Sequence, residues 1–249
     1  MGQPAVKITG LGFAYPSQSG FLFSGLGLEI ADGQRFGLFG PNGAGKTSLM
    51  NLMTGILPYE QGSIEILGFR VKSKNKKINS LFGFVPQDLS FYEELTPVEN
   101  LAFFGAWYGL SRQEIRARTE ELLGVLDLLD VRNKKAAHFS GGMKRKLNLA
   151  IGVLHRPRVL FLDEPTVGVD VHTRKQLIDY LLSLNREGAT LVYTSHQLDE
   201  AEELCQRVAL LDKGKIIACD DLDSLLTRYR QEGLEGLFLN LTGKTYKDT

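Results

Sequence analysis

Residues 40–47 read Gly-Pro-Asn-Gly-Ala-Gly-Lys-Thr and fit G-x-x-x-x-G-K-[ST]. Glycines at these spacings allow a tight loop whose backbone N–H groups turn inward onto an anion. A helix starting at Lys46 would add its positive end to the same anion. The Lys46 ammonium would reach the outer phosphates of a nucleotide, and the Thr47 hydroxyl would hold Mg²⁺. An ordinary glycine-rich turn has no need of the Lys-Thr pair. Such a site requires a carboxylate to handle the metal and a water, and Leu160-Phe161-Leu162-Asp163-Glu164-Pro165 supplies two. An apolar run ending in acids puts both charges at the C-terminal edge of a buried strand, where open α/β sheets bind ligands. Asp163 is the expected magnesium partner, and Glu164 the expected base for the attacking water. Guanine-specific relatives of this loop carry N-K-x-D. The Asn-Lys pairs at Asn75 and Asn133 lack the aspartate, so adenine is the expected base.

A third segment is Phe139-Ser140-Gly141-Gly142-Met143-Lys144-Arg145-Lys146. Ser140 is a good N-cap. Two glycines then open the helix, and three cations follow near its positive end, where the macrodipole disfavours them. Local stability gains nothing from this. A helix end stripped of side chains and ringed by positive charge suits a docking anion.

The elements that must position these residues read as follows. Strands are expected over 6–13, 26–30, 35–39, 63–67 and 81–85, with a turn at Ala31-Asp32-Gly33 and a solvated basic loop at Lys72–Lys77. From Thr96 to Leu129 the apolar spacing is helical, and Met143, Leu147, Ala150 and Leu154 form a second stripe. Val159–Leu162 reads as a buried parallel strand. A helix over Arg174–Asn185, a strand over Thr190–Thr194, a helix over Asp199–Cys205 and a hairpin across Asp212-Lys213-Gly214 follow. This strand–helix alternation implies a parallel sheet covered by helices.

Taken together, the chain resembles the ATP-binding-cassette (ABC) ATPases over nearly its whole length. Their signature, LSGGQ followed by basic residues, precedes the strand-borne Asp-Glu pair. The resemblance implies an α/β fold: a P-loop NTPase core with a mostly parallel sheet, an N-terminal antiparallel β subdomain and a helical signature subdomain. One nucleotide-binding domain would fill residues 1–249, its core in 1–87 and 155–230, its helical part in 88–154 and its tail in 231–249. ATP would contact Tyr15, Asn42, Gly43, Ala44, Gly45, Lys46, Thr47 and Ser48. Gln87 resembles the glutamine that senses metal and water, and joins Thr47 and Asp163 as a magnesium group. His196 matches the histidine on the γ-phosphate, and Asp170 the aspartate after the acid pair. Tyr15 is placed like the aromatic that stacks on adenine, with Phe13 as a nearby rival. Ser140, Gly141 and Gly142 would act on the ATP of a second subunit.

The sequence departs from that pattern at Phe139 for Leu, at Met143 for Gln, which removes a donor for a ribose hydroxyl, and at Val167 for Ser. Ser-Gly-Gly-Met with its basic run is similar to an exporter branch that moves drugs, ions or polysaccharides, as is the tail Gly233–Gly243. The implied function is the ATP-hydrolysing subunit of an ABC transporter, paired as a homodimer or pseudo-symmetric dimer and coupled to a separate transmembrane permease. It would lie at the cytoplasmic face of the cell membrane. A soluble ABC ATPase that assists cofactor or complex assembly is the alternative.

Composition agrees with a soluble globular chain of 249 residues, 43% hydrophobic and 23% charged. With 29 basic and 29 acidic residues, no nucleic-acid partner is expected. Two cysteines fit a reducing compartment better than a disulfide scaffold. The most apolar stretch, Leu101–Leu110, is about half the roughly 20 residues a spanning helix needs, and the N-terminus lacks a signal pattern.

Overall fold

The computed structural model describes residues 2–16, 20–71, 76–195 and 197–243. The N-terminal strands are β1 (Val6–Phe13), β2 (Phe23–Ile30), β3 (Arg35–Phe39), β4 (Gln61–Ile66) and β5 (Phe69–Arg70), with helix α1 (Lys46–Met53) after β3. A four-residue helix α2 (Lys76–Asn79) leads into β6 (Phe82–Val85). Thus Lys76 and Lys77 are helical rather than loop, and 72–75 lie outside the described residues. Then come α3 (Pro97–Trp107), α4 (Arg112–Val125) and α5 (Gly141–Val153). The chain continues through β7 (Val159–Asp163), α6 (Val171–Arg186), β8 (Thr190–Thr194), α7 (Leu198–Leu204), β9 (Arg207–Asp212), β10 (Lys215–Asp221), α8 (Leu222–Tyr229) and α9 (Leu234–Thr242).

Two sheets result. One is antiparallel, in the order β2-β1-β4-β5; the other runs β10-β9-β3-β8-β7-β6 and is parallel except for the β9–β10 hairpin. Every residue of β7 and β8 is buried, as a sheet covered on both faces requires. Two apolar clusters pack around these sheets, one centred on β1, β4 and α1, the other on α4, α5, α6 and α9. Leu38 of β3 and Asp163 of β7 both pair with Thr194 of β8. The strand that feeds the glycine loop and the strand that carries the acids therefore end level, one strand apart. Among the described residues no helix is long and apolar enough to cross a membrane.

The helical run expected over 96–129 is two helices. Thr96 with Glu99 and Ser111 with Glu114 form capping boxes at their starts. Between them Gly109 takes a φ of 80°, a backbone that ends α3 and that apolar spacing alone does not reveal. Leu129 falls in a short 3₁₀ turn. Helix α8, which no expectation covered, follows β10 directly.

The helical segment meets the sheet where α5 crosses β6. A Cβ on Gly83 would sit 2.1 Å from the Gly152 carbonyl oxygen, and one on Gly152 would sit 2.5 Å from Val85 Cγ2. Backbone-to-backbone contact there leaves no room for a methyl. Gly83→Ala is expected to cost about 1–3 kcal/mol through overpacking, read as a lower midpoint in urea unfolding with an unchanged slope.

Candidate functional site

The loop from Gly40 to Gly45 links β3 to α1. Gly43 and Gly45 have φ of 77° and 108°, and a Cβ on Gly45 would lie 2.9 Å from the Phe23 ring. Both constraints select glycine. The loop borders a cavity of about 580 Å³, within the roughly 300–1,000 Å³ of small-molecule sites. Asn42, Gly43, Gly45, Lys46, Thr47 and Ser48 line it, together with Tyr15, Gln87 and Glu164. Ala44 stands behind this wall: its side chain is buried and its N–H donates to the Pro41 carbonyl.

Lys46 is buried and donates to the carbonyl oxygens of Gly40 and Pro41 at 2.6 and 3.1 Å. Burial lowers its pKa, against the attraction of Glu164 and Asp163. Tyr15 shares a hydrogen bond with Ser48 at 2.9 Å and meets Phe13 edge-on. Phe13 is buried, whereas Tyr15 lines the cavity. The polar tip separates the two rings.

Asp163 is buried and accepts from Thr194 Oγ1 at 2.6 Å and from the Thr47 side chain. Burial raises its pKa, offset by those two bonds and by Lys46. It faces an adjoining cavity of about 450 Å³, which Thr47 and Gln87 also line. One hydroxyl, one amide and one carboxylate form the hard-oxygen set that Mg²⁺ takes alongside substrate phosphates. The residues present fit that ion.

Glu164 is buried with φ 50°, a left-handed backbone that is uncommon for glutamate. Its N–H donates to Thr194 O and Oγ1 at 3.1 and 3.2 Å, and Gln87 Nε2 donates to its carboxylate at 3.2 Å. Thr194 thus ties both acids to the middle strand. Sequence reasoning missed Thr194, whose one signal is its place at the C-terminal end of β8, as Asp163 ends β7. His196 lies outside the described residues.

Ser140 caps α5 by accepting from the Met143 N–H, and Asp170 caps α6 by accepting from the Thr173 N–H and hydroxyl. A Cβ on Gly142 would lie 3.0 Å from Thr173 Oγ1, so the two helix starts adjoin. Ser140, Gly141, Gly142 and Asp170 are absent from the wall of the phosphate-loop cavity. The basic run corrects its sequence reading. Lys144 pairs with Glu93 at 2.5 Å, Arg145 donates to the carbonyls of Gln87 and Val167, and Lys146 is buried 3.9 Å from Asp127. All three cations have partners within their own chain. The docking end is left with glycine backbone and the Ser140 cap.

A family model described as ABC transporter matches residues 23–167. The linearmycin resistance ATP-binding protein of Bacillus subtilis (strain 168) is 37% identical over 207 residues, covering 83% of this chain and 67% of that protein. The daunorubicin resistance ATP-binding protein of Streptomyces coeruleorubidus is 35% identical over 98% of this chain and 81% of its own. The solved ATP-binding subunit of an ABC transporter superposes with a TM-score of 0.87 at 29% identity, covering 96% of this chain and 99% of that one. A glycine loop and an acid pair level at one edge of a mostly parallel sheet, one strand apart, with a glycine-opened helix start that does not line the loop's cavity, match what these comparisons find: the chain belongs to the ABC transporter family, among its ATP-binding, ATP-hydrolysing subunits.

Proposed function

We propose that this chain powers an exporter, with two such subunits enclosing ATP between them and a separate membrane-spanning protein carrying the cargo at the cytoplasmic face of the membrane. The carrying observation is that Ser140–Gly142 and Asp170 form a surface apart from their own chain's phosphate-loop cavity. A helix start bare of side chains is suited to a phosphate on another copy. Resistance functions of the two relatives support the export direction. Exposed Tyr92, Phe103 and Trp107, before and along α3, support this side as the seat of the membrane partner.

In this reading Tyr15 meets adenine, while Lys46, Asn42 and the backbone of Gly43 and Gly45–Ser48 hold phosphates. Thr47, Gln87 and Asp163 would hold Mg²⁺, which neutralises charge on the phosphoryl oxygens. Glu164 accepts a proton from water at its carboxylate, and the Gln87 amide orients that carboxylate. His196 adds a contact to the terminal phosphate.

The pairing is tested by dilution. Specific ATPase activity should fall as dimers dissociate, because ATP joins two chains by mass action. Ser140→Arg should be inactive alone, and so should Lys46→Ala. Their mixture should regain activity through the one hybrid site that keeps both halves. A Ser140→Arg protein with native activity, or flat specific activity across a dilution shown to yield monomers, refutes it.

A further inference from the structure

Glu200 lies in the first turn of α7 and is 0% exposed. A carboxylate taken wholly out of water needs donors around it. Its Oε2 accepts from Thr166 Oγ1 at 2.6 Å, Tyr193 OH at 2.5 Å and Ser195 Oγ at 3.3 Å. Its Oε1 lies 3.7 Å from the Arg174 guanidinium on α6. All three hydroxyls are buried as well.

Their placement connects them to the site. Tyr193 and Ser195 flank Thr194, which holds Asp163 and receives the Glu164 N–H. Thr166 lies two residues after Glu164, within the turn closed by the Val167 N–H on the Glu164 carbonyl. One carboxylate therefore fastens both sides of the contact between the Glu164 turn and the end of β8. That turn includes a glutamate with φ 50°, a conformation that persists only where its surroundings enforce it.

We infer that Glu200 is a positioning residue for hydrolysis, a clasp that gathers the hydroxyls of Thr166, Tyr193 and Ser195 and so holds Glu164 in line for water. The inference rests on the reading of Glu164 as the water-activating carboxylate. A clasp needs the donor hydroxyls, whereas a packing role needs only their volume. Thr→Val keeps the volume and removes the donor; Thr→Ser keeps the donor and removes a methyl.

The test measures steady-state ATPase kinetics and thermal unfolding on the purified full chain for Thr166→Val, Thr166→Ser, Tyr193→Phe and Glu164→Gln. Thr166→Val is expected to lower kcat about tenfold with KM for ATP within about twofold, the pattern of an interaction lost in the transition state. Thr166→Ser should retain native kcat, and Tyr193→Phe should follow Thr166→Val. Val and Ser variants with equal kcat, whether native or reduced, overturn the clasp, as does a loss carried in KM. Glu164→Gln separates the two ideas. Native turnover there removes the reading of Glu164 itself. A dead Glu164→Gln beside a native Thr166→Val removes only the clasp.

Discussion

Glu164→Gln is expected to lower ATP turnover by about 10²–10⁴-fold, the range general base catalysis supplies, while ATP affinity stays near native. The exchange keeps the side chain's size and its place beside Gln87 Nε2, 3.2 Å away. It also keeps both N–H bonds to Thr194, which are made by the backbone. Only the carboxylate's capacity to take a proton is lost, and that matters in the transition state. Binding by equilibrium titration and turnover by phosphate release should therefore part company. Because ATP persists uncleaved, the variant should also elute as a dimer on a sizing column with ATP present. Native phosphate release would remove Glu164 from the role of base.

Lys46→Ala is expected to weaken ATP binding itself by about 10–100-fold, corresponding to loss of a charge-assisted hydrogen bond. In the structure the ammonium donates to the Gly40 and Pro41 carbonyls, so the loop already holds it at the cavity wall. Its pKa is lowered by burial. As pH rises the native protein should therefore lose this charge earlier than an ordinary lysine would, giving an alkaline fall in kcat/KM, which reports the free enzyme. ATP affinity by equilibrium titration should fall over the same alkaline range in the native protein and stay level in the alanine variant. Equal ATP affinity in both proteins would sink the assignment of the loop.

Parts of this architecture that rest on local rules were legible in the sequence. The glycine loop needs positive φ at Gly43 and Gly45, and the apolar run of β7 announces burial on both faces. The apolar spacing over 96–129 reads as one helical run, because the break at Gly109 depends on one residue's backbone and the capping pairs that start α3 and α4 are polar residues outside that spacing. The basic run misled for a related reason. A helix start rich in cations looks like an anion site until Glu93, Asp127 and two carbonyls arrive from distant segments. Glu200 was hidden the same way. In Asp199-Glu200-Ala201-Glu202-Glu203 it reads as one more surface acid. Only the burial of its carboxylate among the hydroxyls of Thr166, Tyr193 and Ser195 separates it from its neighbours.

Trp107, at the end of α3, is the only tryptophan in the chain, and it is 76% exposed. Intrinsic fluorescence is consequently governed by one indole that already faces water in the folded state. Excited at the red edge of its absorption, the protein should emit at long wavelength and change little when nucleotide enters the loop cavity, whose wall does not include it. Collisional quenchers should reach it freely in the isolated subunit. Contact with a membrane-spanning partner along α3 would instead shield the ring, shifting emission to the blue and reducing quenching. The molecule thus contains a single optical reporter, silent to the chemistry and responsive to assembly.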